Sequence, residues 1–345
     1  MKQRYLEIDG IRGILCVLIL LHHLDSITNA FIKNQACLAV EIFVCLAGFM
    51  MAYNYKDKIS NINFYEYFSK RYFKIMPLYW LTLVCMFLWD SIIYLKSGKI
   101  LFRASIGESI LQFTGFYTGW FTDAYPLNFP LWTVCCLLLC YFVYFVICKI
   151  SKESDDKYIT VTIILLIVAV SIWKYLNSTN SVTFIIFTNS AYRAIIGFLI
   201  GLLLYEIHMR IKDSNVGKII AVLLDIILVV SISICIYAKD FLIMYNYGTI
   251  FTCFFICPLI IFNSLYISFI KRILSSKLFV FLGTISMSIY MWHGVVISII
   301  GSNFFKQRLS VMVYSISNIM LAVLLGIISH FYIEPLLNRI FVSAR

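Results

Sequence analysis

The sequence predicts an all-α, polytopic membrane protein of about ten transmembrane helices, with both termini cytoplasmic. Three observations predict it. Hydrophobic residues make up 62% of the 345 and charged residues only 13%, about half the charged share of a soluble domain. Apolar runs near 20 residues recur along the chain, each long enough to cross a hydrocarbon core. The basic residues are also divided unevenly between alternate loops. With the N-terminus inside, 18 of the 28 Lys and Arg fall in inner loops and 8 in outer loops, Arg12 and Arg193 lying within spans. That asymmetry sets the orientation. It also explains the net charge of +11 without nucleic acid, because the cations follow the anionic lipid of the cytoplasmic face.

The spans are expected at about 9–29, 36–55, 73–95, 128–148, 158–176, 190–206, 217–237, 241–265, 279–300 and 311–333. They form a single membrane-embedded domain over 1–345. The first lacks an A-x-A-like cleavage site, so it reads as a retained span and not as a signal peptide. FSKRYFKIMPLYW (68–80) places Lys70, Arg71 and Lys74 immediately before the third span, which is expected to start near Pro77, since proline suits a first helical turn. Segment 107–118 is short and interrupted by Gly107, Gly115 and Gly119, which suggests a re-entrant or interfacial piece. The longest polar connections are about 56–72 and 96–127, and no internal repeat is visible. Most of the 11 cysteines lie in spans, where Cys acts as a small hydrophobe. There is no CxxC pair and no Cys/His cluster with zinc spacing, so no metal is expected.

Chemistry is concentrated in few residues. The first span reads IDGIRGILCVLILLHHL (8–24), and ionisable groups at membrane depth point to function. Eleven residues at about 100° each bring Arg12 and His23 within about 20° of one another around a helix, about 16 Å apart along its axis. Arginine at the end of a span and histidine near its middle suit an anion at the surface and a base deeper in. Asp9, one turn before Arg12, is expected to pair with it and fix its rotamer. His22 points about 100° away from His23 and reads as an orienting or packing neighbour.

The other candidates follow from spacing. Arg71 and Lys74 share a face and would clamp phosphates, although a positive-inside anchor would look the same. Ser286, Tyr290 and His293 form one stripe of the ninth span. His330 precedes Glu334 by one turn. His293 and His330 read equally as histidines hydrogen-bonded between helices. Glu41 opens the second span on the face of Gly48. Arg193 sits in an apolar run and needs a partner or an anionic ligand. Asp225 reads as a structural partner, and the Gly197/Gly201 pair as close helix packing. Trp120, Tyr125, Trp132 and Tyr290 are aromatics that could line a sugar site.

Taken in order, these segments resemble the acyltransferase 3 family of bacterial membrane acyltransferases. IDGIRGILCVLILLHH carries the family's Arg, ten residues, His signature. EIFVCLAGFMM (41–51) is similar to its FFVLSGF segment, RYFKIMPLYW (71–80) to its R-x-x-R-I-x-P element and FPLWTVCCLLLCYFVY (129–144) to its Leu-Trp segment. LGTISMSIYMWHG (282–294) is similar to its LG-x-x-S-x-x-x-Y-x-x-H stretch, and IEP (333–335) to its closing motif. The departures are Lys74 for a second arginine, Ala47 for a common serine and Leu137 for a glutamate. The resemblance implies the short form, without an extracytoplasmic esterase-like domain, in a bacterial cytoplasmic (inner) membrane.

It further implies transfer of an acyl group, most often acetyl from acetyl-CoA, to a hydroxyl of a polysaccharide or lipid-linked sugar. Catalytic positions would be His23, Arg12, Tyr290 and His293. Arg71, Lys74, Arg12 and Arg193 would hold the acyl-CoA, and Asp9, Glu41, Ser286 and Glu334 would orient the site. Tyr290, Ser286 and Arg193 are candidate oxyanion donors. A competing reading is a transporter or exporter of a small anion or glycan, since buried Arg, His and Glu also serve proton-coupled carriers. A third is an inactive scaffold descended from the enzyme. Oligomeric state is open, a homo-oligomer included.

Overall fold

The computed structural model describes residues 4–24, 36–98, 106–123, 126–152, 154–212, 218–237, 245–266, 269–301 and 309–342. The described chain is almost wholly helical, and the protein is an all-α polytopic membrane protein. Seven helices among the described residues are long and apolar enough to cross a membrane, and an eighth is gained if a bent pair, Lys277–Thr284 and Ser286–Ile300, counts as one span. The remaining two of the ten expected segments are also helices. Leu6–His22 carries Glu7, Asp9 and Arg12 within 17 residues, and Lys218–Tyr237 has its described apolar stretch over Ile219–Ser233. Two compact units partition the chain: Met1–Ile62, Val143–Ser181 and Tyr192–Ser286 form the first, and Asn63–Phe142, Val182–Ala191 and Met287–Arg345 the second.

The first unit is built on α1 (Leu6–His22), α2 (Ala39–Tyr55), the end of α5 (Trp132–Ser151), α6 (Asp155–Thr179) and α7 (Asn189–Ile211). It continues with α8 (Lys218–Tyr237), α9 (Tyr245–Phe251), α10 (Cys257–Leu265), α11 (Phe269–Leu274) and α12 (Lys277–Thr284). Lipid tails give apolar helices no reason to leave them for one another, so small residues that let backbones approach decide the packing. That is how α1 meets α11 and α12. A Cβ on Gly10 would fall on the Leu274 carbonyl, and one on Gly283 on the Asp9 carbonyl. A Cβ on Gly13 would lie 2.7 Å from the Gly283 nitrogen. The same device joins α2 to α7. Gly48 abuts the Phe198 carbonyl and Gly201 the Cys45 carbonyl, so the Gly197/Gly201 pair is helix packing. Asp225 accepts the Phe269 N–H at 3.2 Å and so tethers the start of α11.

The helix ends of this unit are tied by polar groups. Lys56 follows α2 and reaches Glu206 Oε2 on α7 at 2.6 Å and Asp155 Oδ1 on α6 at 2.8 Å, with its ammonium 5.0 Å from the Tyr158 ring. Tyr5, the N-cap of α1, sits in an aromatic box. Its ring lies 5.0 Å from Tyr53 and 6.3 Å from Phe49, and its hydroxyl is 3.2 Å from His208 Nε2.

The second unit holds α3 (Phe64–Ser97), α4 (Ile106–Gln112), the start of α5, the hairpin β1 (Thr183–Phe184) and β2 (Phe187–Thr188), α13 (Ser286–Ile300) from Met287 on, α14 (Val311–Ile328) and α15 (Glu334–Val342). Helix α3 corrects one expectation. Pro77 does not open it; the helix starts at Phe64, where the Asn63 side chain accepts the Glu66 N–H at 2.8 Å, and runs 34 residues with Pro77 inside. The cap fixes the start, so Lys70, Arg71 and Lys74 ride on the helix instead of preceding it. Segment 107–118 is broken as its glycines suggested: α4 spans seven residues, and Gly115 and Gly119 follow at positive φ. A helix end leaves carbonyls without partners. Here α3 satisfies them: Tyr79 donates to Gln112 O at 2.8 Å, Trp80 to Phe113 O at 2.7 Å and Tyr72 to Thr114 O at 2.9 Å.

The glycine seam gives a test. Gly283→Ala should destabilise the protein by about 3 kcal/mol, the upper range for overpacking. Gly107→Ala, with open space at its Cβ position, should be neutral or slightly stabilising. Thermal unfolding in detergent reads both; equal melting temperatures for Gly283→Ala and wild type would refute the backbone contact.

Candidate active site

The site is best built from α1. Arg4 lies just before the helix. Its Nε donates to Asp9 Oδ2 at 2.7 Å and its Nη2 to Thr284 Oγ1 at 3.1 Å. Asp9 Oδ1 is 3.7 Å from Arg12 Nη1. One carboxylate is therefore shared by two guanidinium groups, with the shorter contact to Arg4, and the three side chains carry a net positive charge. The Arg12 side chain is 33% exposed. A half-neutralised arginine pair of this kind suits an anion, because guanidinium groups grip phosphate and carboxylate. Arg4 is the functional candidate that sequence reasoning passed over. A separation of five from Asp9 matches no helical pairing, since Arg4 stands outside the helix.

His23 is placed differently from the expectation of a mid-span base. Helix α1 ends at His22, and His23 is its C-cap, with its N–H bonded to Ile19 O at 3.3 Å. Residues 25–29 of the expected span lie outside the described residues. Imidazoles suit a helix C-terminus, where the dipole favours positive charge. The backbone of His23 is in the right-handed helical region, at φ -84 and ψ -4. The rings of His22 and His23 are 4.9 Å apart at 71°. Cys16, on the same helix, donates its thiol to Ser286 O at 3.2 Å, and the Ser286 hydroxyl donates to Gly283 O at 2.8 Å.

Glu41 and Arg193 come together. The Arg193 Nε donates to Glu41 Oε1 in a short ion pair, and Thr249 Oγ1 donates to the same oxygen at 3.0 Å. Glu41 is 2% exposed. Arg193 thus has the partner its position demanded, on a helix about 150 residues away in sequence, and its charge is committed within the fold.

The second unit carries the remaining candidates. On α3, Arg71 is half-buried and Lys74 exposed, while Lys70 pairs with Glu66 at 2.7 Å. On α13, His293 is buried, with Nδ1 2.6 Å from Tyr290 O and its ring 5.6 Å from Phe129. The Tyr290 hydroxyl lies 2.9 Å from Pro130 O and 3.0 Å from Thr133 Oγ1. Its proton is engaged on α5 and its approach. Gly294 has no room for a side chain because Asn128 Oδ1 and Pro130 press on it. Asn128 in turn donates to Met291 O at 2.9 Å. Glu334 accepts a short hydrogen bond from Ser288 and lies 3.8 Å from His330 Nδ1. Trp120 donates its indole N–H to Cys135 O at 2.6 Å. Tyr125 lies outside the described residues.

Sequence reasoning also missed the Lys56 cluster. It borders a polar cavity of about 420 Å³ lined by Asp57, Asn61, Ser151, Asp155 and Tyr158 among others. Burial opposes the charge on Lys56, but its hydrogen bonds to Asp155 and Glu206 outweigh that and hold its pKa above the ordinary lysine value.

The family model Acyl_transf_3, described as an acyltransferase domain, matches residues 5–331. No curated protein and no solved structure matches the chain.

Two outcomes are expected. Glu41→Ala should cost about 3–5 kcal/mol by stranding Arg193, and Glu41→Met combined with Arg193→Met should recover most of it. A stable Glu41→Ala single mutant, measured by thermal unfolding, would return Arg193 to the ligand-binding candidates. For Lys56 the folded pKa is raised. Its stabilisation is therefore full below the unfolded value, about 10.4, and is lost as pH rises through the folded value. Melting temperatures at pH 9–12 should fall steeply for wild type and more shallowly for Lys56→Met, which is the less stable protein at pH 8.

Proposed function

Since this chain belongs to the acyltransferase 3 family, and is thus a membrane acyltransferase, we propose that it moves an acetyl group from cytoplasmic acetyl-CoA to a hydroxyl of a surface or lipid-linked glycan, with His23 as general base. The observation that carries this reading is α1. Helix α1 carries Arg12, and its C-cap is His23, eleven residues on; its start is fixed by the Arg4–Asp9–Arg12 group.

The chemistry is that of ester formation. The phosphates of the donor would be met by Arg12 and Arg4 at the head of α1; Arg71 and Lys74 on α3 keep the phosphate-binding role that the family resemblance implies. Arg71 offers a bidentate fork and Lys74 a point charge. The acceptor hydroxyl loses its proton to neutral His23 as its oxygen attacks the thioester carbonyl. The tetrahedral oxyanion collapses, the C–S bond breaks, and the CoA thiolate leaves and takes up a proton. Ester and free CoA are the products. Donors to the oxyanion lower this barrier in acyl transfer. Arg193 and Tyr290 are poor choices for that task, because Glu41 holds the first, and Pro130 and Thr133 hold the second. We assign both to positioning. Family membership favours the enzyme over a carrier. The membrane would be the bacterial cytoplasmic membrane, with both termini inside.

Purified protein in detergent, acetyl-CoA and candidate glycans test the reading. His23→Ala should lower kcat by about 10²–10⁴-fold, the usual weight of a general base, without changing the melting temperature. Normal turnover in that variant would remove His23 from the chemistry. Arg71→Ala should raise the KM for acetyl-CoA about tenfold, the loss of one charge-assisted contact worth 1.5 kcal/mol or so, and leave kcat near wild type. An unchanged KM would leave Arg71 as a topological anchor.

A further inference from the structure

The hairpin between α6 and α7 has a tip that its own fold does not explain. Its register pairs Thr183 with Thr188 and Phe184 with Phe187, leaving Ile185 and Ile186 as the two-residue loop. Such loops need a positive φ at their first central position, and glycine normally supplies it. Here Ile185 stands there at φ 60. A β-branched residue in the left-handed region is strained. Strain of this kind is often offset by packing, but Ile185 is 82% exposed, Ile186 52% and nearby Val182 61%. Local conformation disfavours the isoleucine and the core does not use it.

The hairpin is also rigidly footed. The Thr188 N–H donates to Trp120 O at 2.9 Å and its hydroxyl to Gly119 O at 2.7 Å. Phe187 stacks on Phe121 with centroids 6.3 Å apart and planes within 14°. A tip held this firmly presents its two isoleucines to whatever lies outside the chain.

We propose that this tip is a bilayer anchor, with Ile185 and Ile186 immersed among the lipids at the membrane interface. The sequence around it points to lipid in preference to a protein partner. No charged residue occurs between Lys174 and Arg193, and charge is what most resists immersion among lipids. The helices that flank it, Asp155–Thr179 and Asn189–Ile211, both meet the measure for a membrane span, so the hairpin leaves and re-enters at the edge of the apolar layer. Beneath the tip Trp120 stands 6.2 Å from Phe187, and indole is a ring that settles at that depth. The inference rests on the multi-pass character of the chain and not on its acyl chemistry.

The test uses the full chain with Ile186→Cys, labelled with bimane and reconstituted in phosphatidylcholine vesicles. Unmutated protein labelled in parallel sets the background. Nitroxide-bearing lipid should quench the label strongly and aqueous iodide should not. Quenching by iodide alone would place the tip in water and overturn the proposal. Ile185→Gly supplies a label-free check. It should raise the melting temperature in detergent, where the strain is relieved and no bilayer is present. A lowered melting temperature would show that the fold itself uses Ile185, and the anchor would be abandoned.

Discussion

The contact on which the first unit depends is the one between α1 and the α11–α12 region, where Gly10, Gly13 and Gly283 leave backbones in direct touch. In water, helices pack because their apolar faces leave the solvent. In lipid that gain is absent, and dispersion between closely fitted backbones replaces it. Everything proposed for α1 follows from this seam. The Asp9 carbonyl rests on Gly283, so the Asp9 side chain is held where Arg4 and Arg12 can reach it. Arg4 spans to Thr284, and one turn beyond Gly13 the Cys16 thiol finds the Ser286 carbonyl. The glycine of the LGTIS stretch is thus a consequence of how near the first helix must lie.

The second theme is how charge is handled in a mostly apolar chain. Glu41 meets Arg193 and Thr249, Lys56 meets Glu206 and Asp155, and Lys271 lies 3.6 Å from Glu7. Pairing is what makes such burial tolerable. Against that background the arrangement at Asp9 is unbalanced, with two guanidinium groups to one carboxylate. The surplus at the head of α1 is cationic, and that is where an anionic donor is proposed to arrive.

Much of this was legible in the sequence, for identifiable reasons. Apolar run length is a strong signal: seven of the expected spans fall on helices long and apolar enough to cross a membrane, and an eighth on a bent pair. Helical arithmetic tied Asp9 to Arg12 and His330 to Glu334 because each pair lies within one continuous helical run. It failed where an element boundary was misjudged. Pro77 looked like a start because proline tolerates a first turn, yet Asn63 caps the helix 14 residues earlier. His23 looked mid-span because the apolar run continues past it, whereas α1 ends at His22. Partners far apart in sequence, such as Arg193 with Glu41 or Lys56 with Glu206, leave no spacing to read. The hairpin was hidden for another reason: TFIIFT carries none of the glycine or asparagine that announces a tight turn.

Helix α3 has a consequence of a different kind. Its 34 residues come to about 51 Å at 1.5 Å each, while a hydrocarbon core is about 30 Å thick. The excess must be taken up by tilt or stand clear of the apolar layer. Arg71 and Lys74 lie on its amino-terminal third, so a helix, not a loop, carries them. A thinner bilayer would lift these two cations further from the surface and a thicker one would draw them down toward it. On the role proposed for Arg71 and Lys74, membrane thickness becomes a mechanical input to donor capture.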